Sequence, residues 1–80
     1  MPRFLIEHRH AAHECGAVFA SFRGFASPLR HCPALASCAT GGHRIWWAVE
    51  AADAEEALAL VPFYVAERAT ATPVAEVRIP

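Results

Sequence analysis

The sequence predicts a small α+β domain with the element order βαββαβ. Three observations carry that expectation. Strand-like runs occupy 3–9, 34–39, 43–50 and 74–79, two stretches of helical spacing occupy 14–26 and 54–68, and turn-forming residues separate them. The chain has 80 residues, room for one domain. Its hydrophobic fraction is 55%, its charged fraction 19% and its mean hydropathy +0.24, a composition that packs a core rather than staying disordered.

The first strand, β1, centres on Phe4, Leu5 and Ile6 and ends in polar residues. From Glu14 the period lengthens: Cys15, Val18, Phe19, Phe22 and Phe25 fall on one helical stripe, with Ser21 and Arg23 off it. Pro28 and Pro33 bracket the loop that follows, and 34–39 is the second strand. Thr40-Gly41-Gly42 supplies the positive-φ positions of a hairpin turn into 43–50, where Ile45, Trp46, Trp47 and Val49 make the strongest strand signal. Asp53 followed by Glu56 marks the start of the second helix, which Pro62 should break near Val61. Val74 to Ile79 alternates as the last strand. This order suits a ferredoxin-like sandwich, four antiparallel strands in the order 4-1-3-2 with both helices on one face.

Alternation separates the two faces of the sheet. Phe4, Ile6 and His8, then His43, Ile45, Trp47 and Val49, then Ala75, Val77 and Ile79 make the more apolar set and belong under the helices. The other face mixes Leu5, Trp46 and Val74 with arginines and glutamates. So small a domain does not easily leave that face wet, and a homodimer through the open side of the sheet is expected.

Charge and cysteine count narrow the partners. Seven Arg, no Lys and eight acids give a net charge of −1, which does not grip a phosphate backbone, so nucleic acid is not an expected partner. No apolar run approaches the ~18–20 residues of a membrane span, and the opening residues do not form a signal peptide. Three cysteines do not suit a self-contained disulfide framework. A reducing, cytoplasmic setting is the expectation.

The chemistry lies in five histidines and their neighbours. His8 and His10 end β1, His13 follows in the loop, Cys15 opens the first helix, Cys38 closes the second strand and His43 opens the third. In the predicted topology these positions converge at one end of the sheet. Imidazole and thiolate are the ligands of nickel, zinc and copper, and three or four of them make a site. His8, His10, Cys15 and His43 are the predicted metal ligands, with His13 and Cys38 in reserve and Glu7 as an outer orienter. The bland reading sets each beside an ordinary role: strand-end histidines are commonly solvated, and a cysteine on an apolar stripe is commonly a small core residue. His31-Cys32 reads as a loop pair at the opposite end.

Two other functions compete. One is a cofactor-free or metal-assisted oxygenase or isomerase of the dimeric α/β-barrel type, using His8 as a base in the cleft between sheet and helices. Against it, Phe19, Phe22 and Trp47 should fill that cleft, and a cavity of a few hundred Å³ would favour it. The other is a metal-free interaction module.

The opening Met1-Pro2-Arg3-Phe4-Leu5-Ile6-Glu7-His8-Arg9-His10, with Glu14-Cys15 after it, resembles small bacterial proteins that begin with a Leu-Ile-Glu-His-x-His strand and a nearby cysteine. Val49 to Asp53 and Pro62-Phe63 extend the likeness over most of the chain. These proteins are similar to an actinobacterial nickel-binding family of ferredoxin-like dimers, which also opens Met-Pro-basic-Phe and reaches a His-Arg. The resemblance implies a dimer and metal binding. It supports His8 through the nickel family, and His10 and Cys15 through the broader group. His13 and Cys38 depart from the pattern.

Overall fold

A computed structural model describes residues 1–80. Strand β1 spans Arg3–Arg9, β2 Leu35–Ala36, β3 Arg44–Glu50 and β4 Ala69–Val74. Helix α1 spans Cys15–Ala20, α2 Ala54–Leu58 and α3 Phe63–Ala66. Single 3₁₀ turns at Ala12–Glu14 and Cys38–Thr40 precede α1 and β3. All strand pairs are antiparallel in one open sheet of order β2-β3-β1-β4, so β1 and β3 are central. No helix is long and apolar enough to cross a membrane.

The central pair follows the expected alternation. Phe4, Ile6 and His8 of β1 and Ile45, Trp47 and Val49 of β3 are buried on one face. Val18 of α1, Ala57 of α2 and Val65 of α3 cover them and, with Ala51, Val61 and the five apolar strand residues, make a ten-residue hydrophobic core beside which His8 is buried. All three helices therefore lie on the same side of the sheet. That helix-covered layer fixes the direction in which His8 and His10 point.

Helix α1 is shorter than the predicted 14–26. The chain leaves it in turns that end at Gly24, whose φ of 74° lies in the left-handed region that glycine tolerates. Ser21 also donates its hydroxyl to the Val18 carbonyl at 2.6 Å, an alternative partner for backbone at the helix end. Phe22 and Phe25 nevertheless stay together as an edge-to-face pair, and Phe22 packs on Trp47 with ring centroids 5.8 Å apart. The apolar spacing thus reported a folded-over segment as well as a helix.

Pro62 acts as expected. It divides the second helical region and becomes the N-cap of α3, its carbonyl accepting from Val65 and Ala66 at 2.9 Å. Asp53 caps α2 through its carboxylate, which accepts from the Glu56 amide at 2.8 Å.

The last strand is a correction. It runs over 69–74 rather than 74–79, so Ala69 and Ala71, not Ala75, Val77 and Ile79, face the core. The connection from α3 decides this. Arg9 donates its amide to the Arg68 carbonyl, and pairing then starts with Ala69 beside His8 and uses up the edge of β1 when Val74 reaches Arg3. Residues 75–80 continue past the end of β1 with no strand to pair, and Val77 and Ile79 are exposed. β2 is likewise reduced from 34–39 to two residues, because the chain turns into 3₁₀ geometry at Cys38.

Candidate metal centre

The turn between β2 and β3 is built around Ser37. Its amide donates to the Arg44 carbonyl, its carbonyl accepts from Thr40 and Gly42, and its hydroxyl accepts from the Arg44 amide at 3.1 Å. Gly41 has φ 86°, and a Cβ on Gly42 would lie 2.4 Å from the Ser37 hydroxyl oxygen. Both glycines are thus required for different reasons. Closing the turn this tightly sets Cys38 and His43 opposite each other, one step inside the Ser37–Arg44 pair. β1 approaches from its other side, where the His10 amide donates to the His43 carbonyl at 3.2 Å. Cys15 comes down from the start of α1.

Four side chains meet there: His10, Cys15, Cys38 and His43, whose donor atoms all lie within 4.8 Å of one another. Cys15 Sγ is 3.2 Å from His10 Nε2 and 3.2 Å from His43 Nδ1, and Cys38 Sγ is 3.5 Å from His10 Nε2. Around a zinc ion with Zn–N and Zn–S bonds of about 2.0–2.3 Å, tetrahedral geometry requires donor–donor edges of about 3.3–3.8 Å. The three contacts fall at or close to that range. A Cys₂His₂ donor set gathered from the end of β1, the start of β3, a turn and a helix start could therefore hold a transition-metal ion, the longer donor–donor edges, up to 4.8 Å, closing by small side-chain movements.

Three of the four predicted ligands and one of the reserves come together in this group. Cys38 joins it because it faces His43 across the turn, a relation legible once Ser37 and Arg44 are taken as the closing pair. His13 is exposed in the 3₁₀ turn before α1 and stands outside. His8 also stands outside, one position deeper. It is only 1% exposed, and its Nδ1–H donates to the Val65 carbonyl at 2.9 Å. That bond fixes the tautomer and leaves a lone pair on Nε2, which has no partner. The His8 and His10 rings stack with centroids 5.3 Å apart, and His10 Nδ1 is the second buried nitrogen with no partner. If His10 coordinates through Nε2, its Nδ1 carries a proton beside the ring that offers a lone pair.

Burial lowers the pKa of both histidines, for His8 against the raising effect of its bond to Val65 and for His10 with help from the neighbouring His43. Both rings are held neutral, the form that binds a metal. The Cys38 thiol is pushed up by burial and by the adjacent Cys15 sulfur. Two sulfurs side by side resist a second negative charge, and a dication removes that conflict.

Glu7, expected as an orienter, lies on the open face between Arg9 and Arg44 at 3.6 and 3.5 Å. The carboxylate that braces this end is Glu14. It accepts from the Ala11 amide at 2.8 Å, the Tyr64 hydroxyl at 3.3 Å and the Arg68 guanidinium. Its pKa is lowered chiefly by the Ala11 amide and further by Arg68. Glu14 thereby ties the segment carrying His10 and Cys15 to α3 and the start of β4.

The aromatics do not close the cleft as expected. Phe19, Phe22 and Trp47 line a cavity of about 330 Å³ that His31 and Cys32 also border. It is separate from the Cys₂His₂ group, and His8 does not reach it. In comparisons with known proteins, no family model, curated protein or solved structure matches this chain.

Proposed function

We propose that the protein is a small transition-metal-binding protein that holds one ion between His10, Cys15, Cys38 and His43, with zinc as the preferred metal over nickel and copper. The carrying observation is the meeting of four soft and borderline donors from four separate parts of the chain within 4.8 Å. Thiolate pairs with imidazoles suit zinc in tetrahedral geometry. Four protein donors complete such a shell, which supports holding, buffering or handing on the ion rather than activating a water on it. The orphaned lone pair of His8 beside His10 supports an outer role for His8, since a ligating imidazole commonly uses its second nitrogen for a fixed partner.

The same reading includes a ferredoxin-like fold and a homodimer. The sheet order, taken from the β4 edge, runs 4-1-3-2, and all helices cover one face. Leu5, Leu35 and Val74 are exposed on the opposite face beside half-buried Trp46, an apolar set that favours self-association. Three free cysteines suit a reducing compartment.

Native mass spectrometry of protein made without an affinity tag tests both claims. The expected species is a dimer carrying one zinc per chain. Cys15→Ser with Cys38→Ser should remove the metal. Bound zinc should shield Cys15 and Cys38 from alkylation while the exposed Cys32 still reacts. Equal alkylation of all three thiols with and without zinc would overturn the metal assignment.

A further inference from the structure

The cavity of about 330 Å³ lies between α1, the loop 27–34 and the β2–β3 side of the sheet. Its floor is Ile45 and Trp47, both buried, and Phe19, Phe22 and Leu29 form its walls. Its charged lining is of one sign. Arg23 and Arg30 border it, His31 stands beside them, and no aspartate or glutamate does. Neither arginine makes an ion pair; of the other five, Arg3, Arg9, Arg44 and Arg68 pair with glutamates and Arg78 does not. Two guanidiniums without a carboxylate partner thus border a mostly apolar lining.

From this geometry we infer that the cavity is a binding site for an amphipathic monocarboxylate, its apolar body on Trp47 and Phe22 and its carboxylate on Arg23 and Arg30. Guanidinium and carboxylate match in planar, two-pronged geometry, and a mostly apolar pocket with a few convergent polar groups is the usual form of a small-molecule site. Volume sets the size. A cavity of about 330 Å³ lies at the small end of the roughly 300–1,000 Å³ typical of small-molecule sites, which suits a short amphipathic ligand. A ten-carbon acid, with twelve heavy atoms, is a ligand of that class. The site is distinct from the Cys₂His₂ group and does not depend on it.

Isothermal calorimetry with decanoate and 1-decanol tests the assignment, using untagged protein with its metal complement unchanged. Decanoate should bind at least tenfold more tightly than the alcohol. Arg23→Gln combined with Arg30→Gln should remove that preference while leaving the alcohol's affinity unaltered. Both positions are exposed, so the fold should persist, and circular dichroism checks it. Arg23→Lys with Arg30→Lys should restore part of the preference. Absence of binding by either compound, equal affinity for the two, or a decanoate affinity indifferent to the Gln pair would each overturn the site.

Discussion

His43 combines two demands in one residue. Its Nδ1 lies 3.2 Å from the Cys15 sulfur, and its backbone sits at φ 51°, in the left-handed region where a β-carbon costs about 1–2 kcal/mol. Strain of this kind persists where surrounding structure over-determines it, and it gathers at functional positions. His43→Gly relieves the strain but gives the unfolded chain more freedom, an offset of about 0.5–1 kcal/mol. The net expectation is a metal-free protein about 0.5–1 kcal/mol more stable and a metal affinity sharply reduced. Urea denaturation in chelator and zinc competition read the two effects separately. A destabilised metal-free variant would show that the backbone at 43 is not held under strain. The histidines and cysteines themselves were all visible in the chain as donors. Which of them share a point was not, because membership turns on a few ångströms: Cys38 enters through a closed turn, and His8 is held back by the Val65 carbonyl.

At the scale of elements, the segment with the 3₁₀ turn and α1 is only loosely fixed by its own helix. α1 has six residues and buries Val18 alone. Helices so short are not stable without tertiary support. Glu14 supplies it by joining Ala11, Tyr64 and Arg68. Glu14→Ala should therefore lower zinc affinity about tenfold, the usual lower bound for removing a group that orients a ligand. Glu14→Gln, which can still accept from Ala11, should fall between. Chelator competition measures both, and an unaltered affinity in Glu14→Ala would mean that core packing alone places Cys15. β1 and β3 were readable in sequence because each alternates on a face that is buried along its whole length. β4 was misplaced for a related reason. The stretch 74–79 alternates well, but pairing depends on where α3 delivers the chain, and Arg68 meets Arg9 early. Periodicity carries no information about that delivery point.

For the whole molecule, two neutral histidines lie under the helices, His8 fully enclosed and His10 close to it. Their folded pKa values lie below the ordinary value of 6.5. The unfolded chain thus binds more protons than the native one once pH drops below about 6.5, and stability rises with pH through that window. In metal-free protein the urea midpoint should be flat from pH 8 to 7 and fall from pH 6.5 downward until the folded-state values are passed. Glu14, with its pKa lowered from 4.5, adds a separate loss only below that value. A midpoint constant from pH 7 to 5 would show that the two rings titrate as they do in the unfolded chain. His8→Leu should shrink the dependence.

Composition and periodicity were enough to determine the α+β class, its central strands, the buried side of each and the supply of candidate metal donors near one end. Those properties are local: they follow from side-chain spacing along a few residues and from the hydrophobic effect acting on alternate positions. Tertiary structure alone decided the register of β4, the choice of Cys38 over His8 in the group of four, and the opening of a cavity where three aromatics were expected to close one. These depend on how far each helix and turn carries the chain before it meets its neighbour. That distance is set by packing between segments remote in sequence.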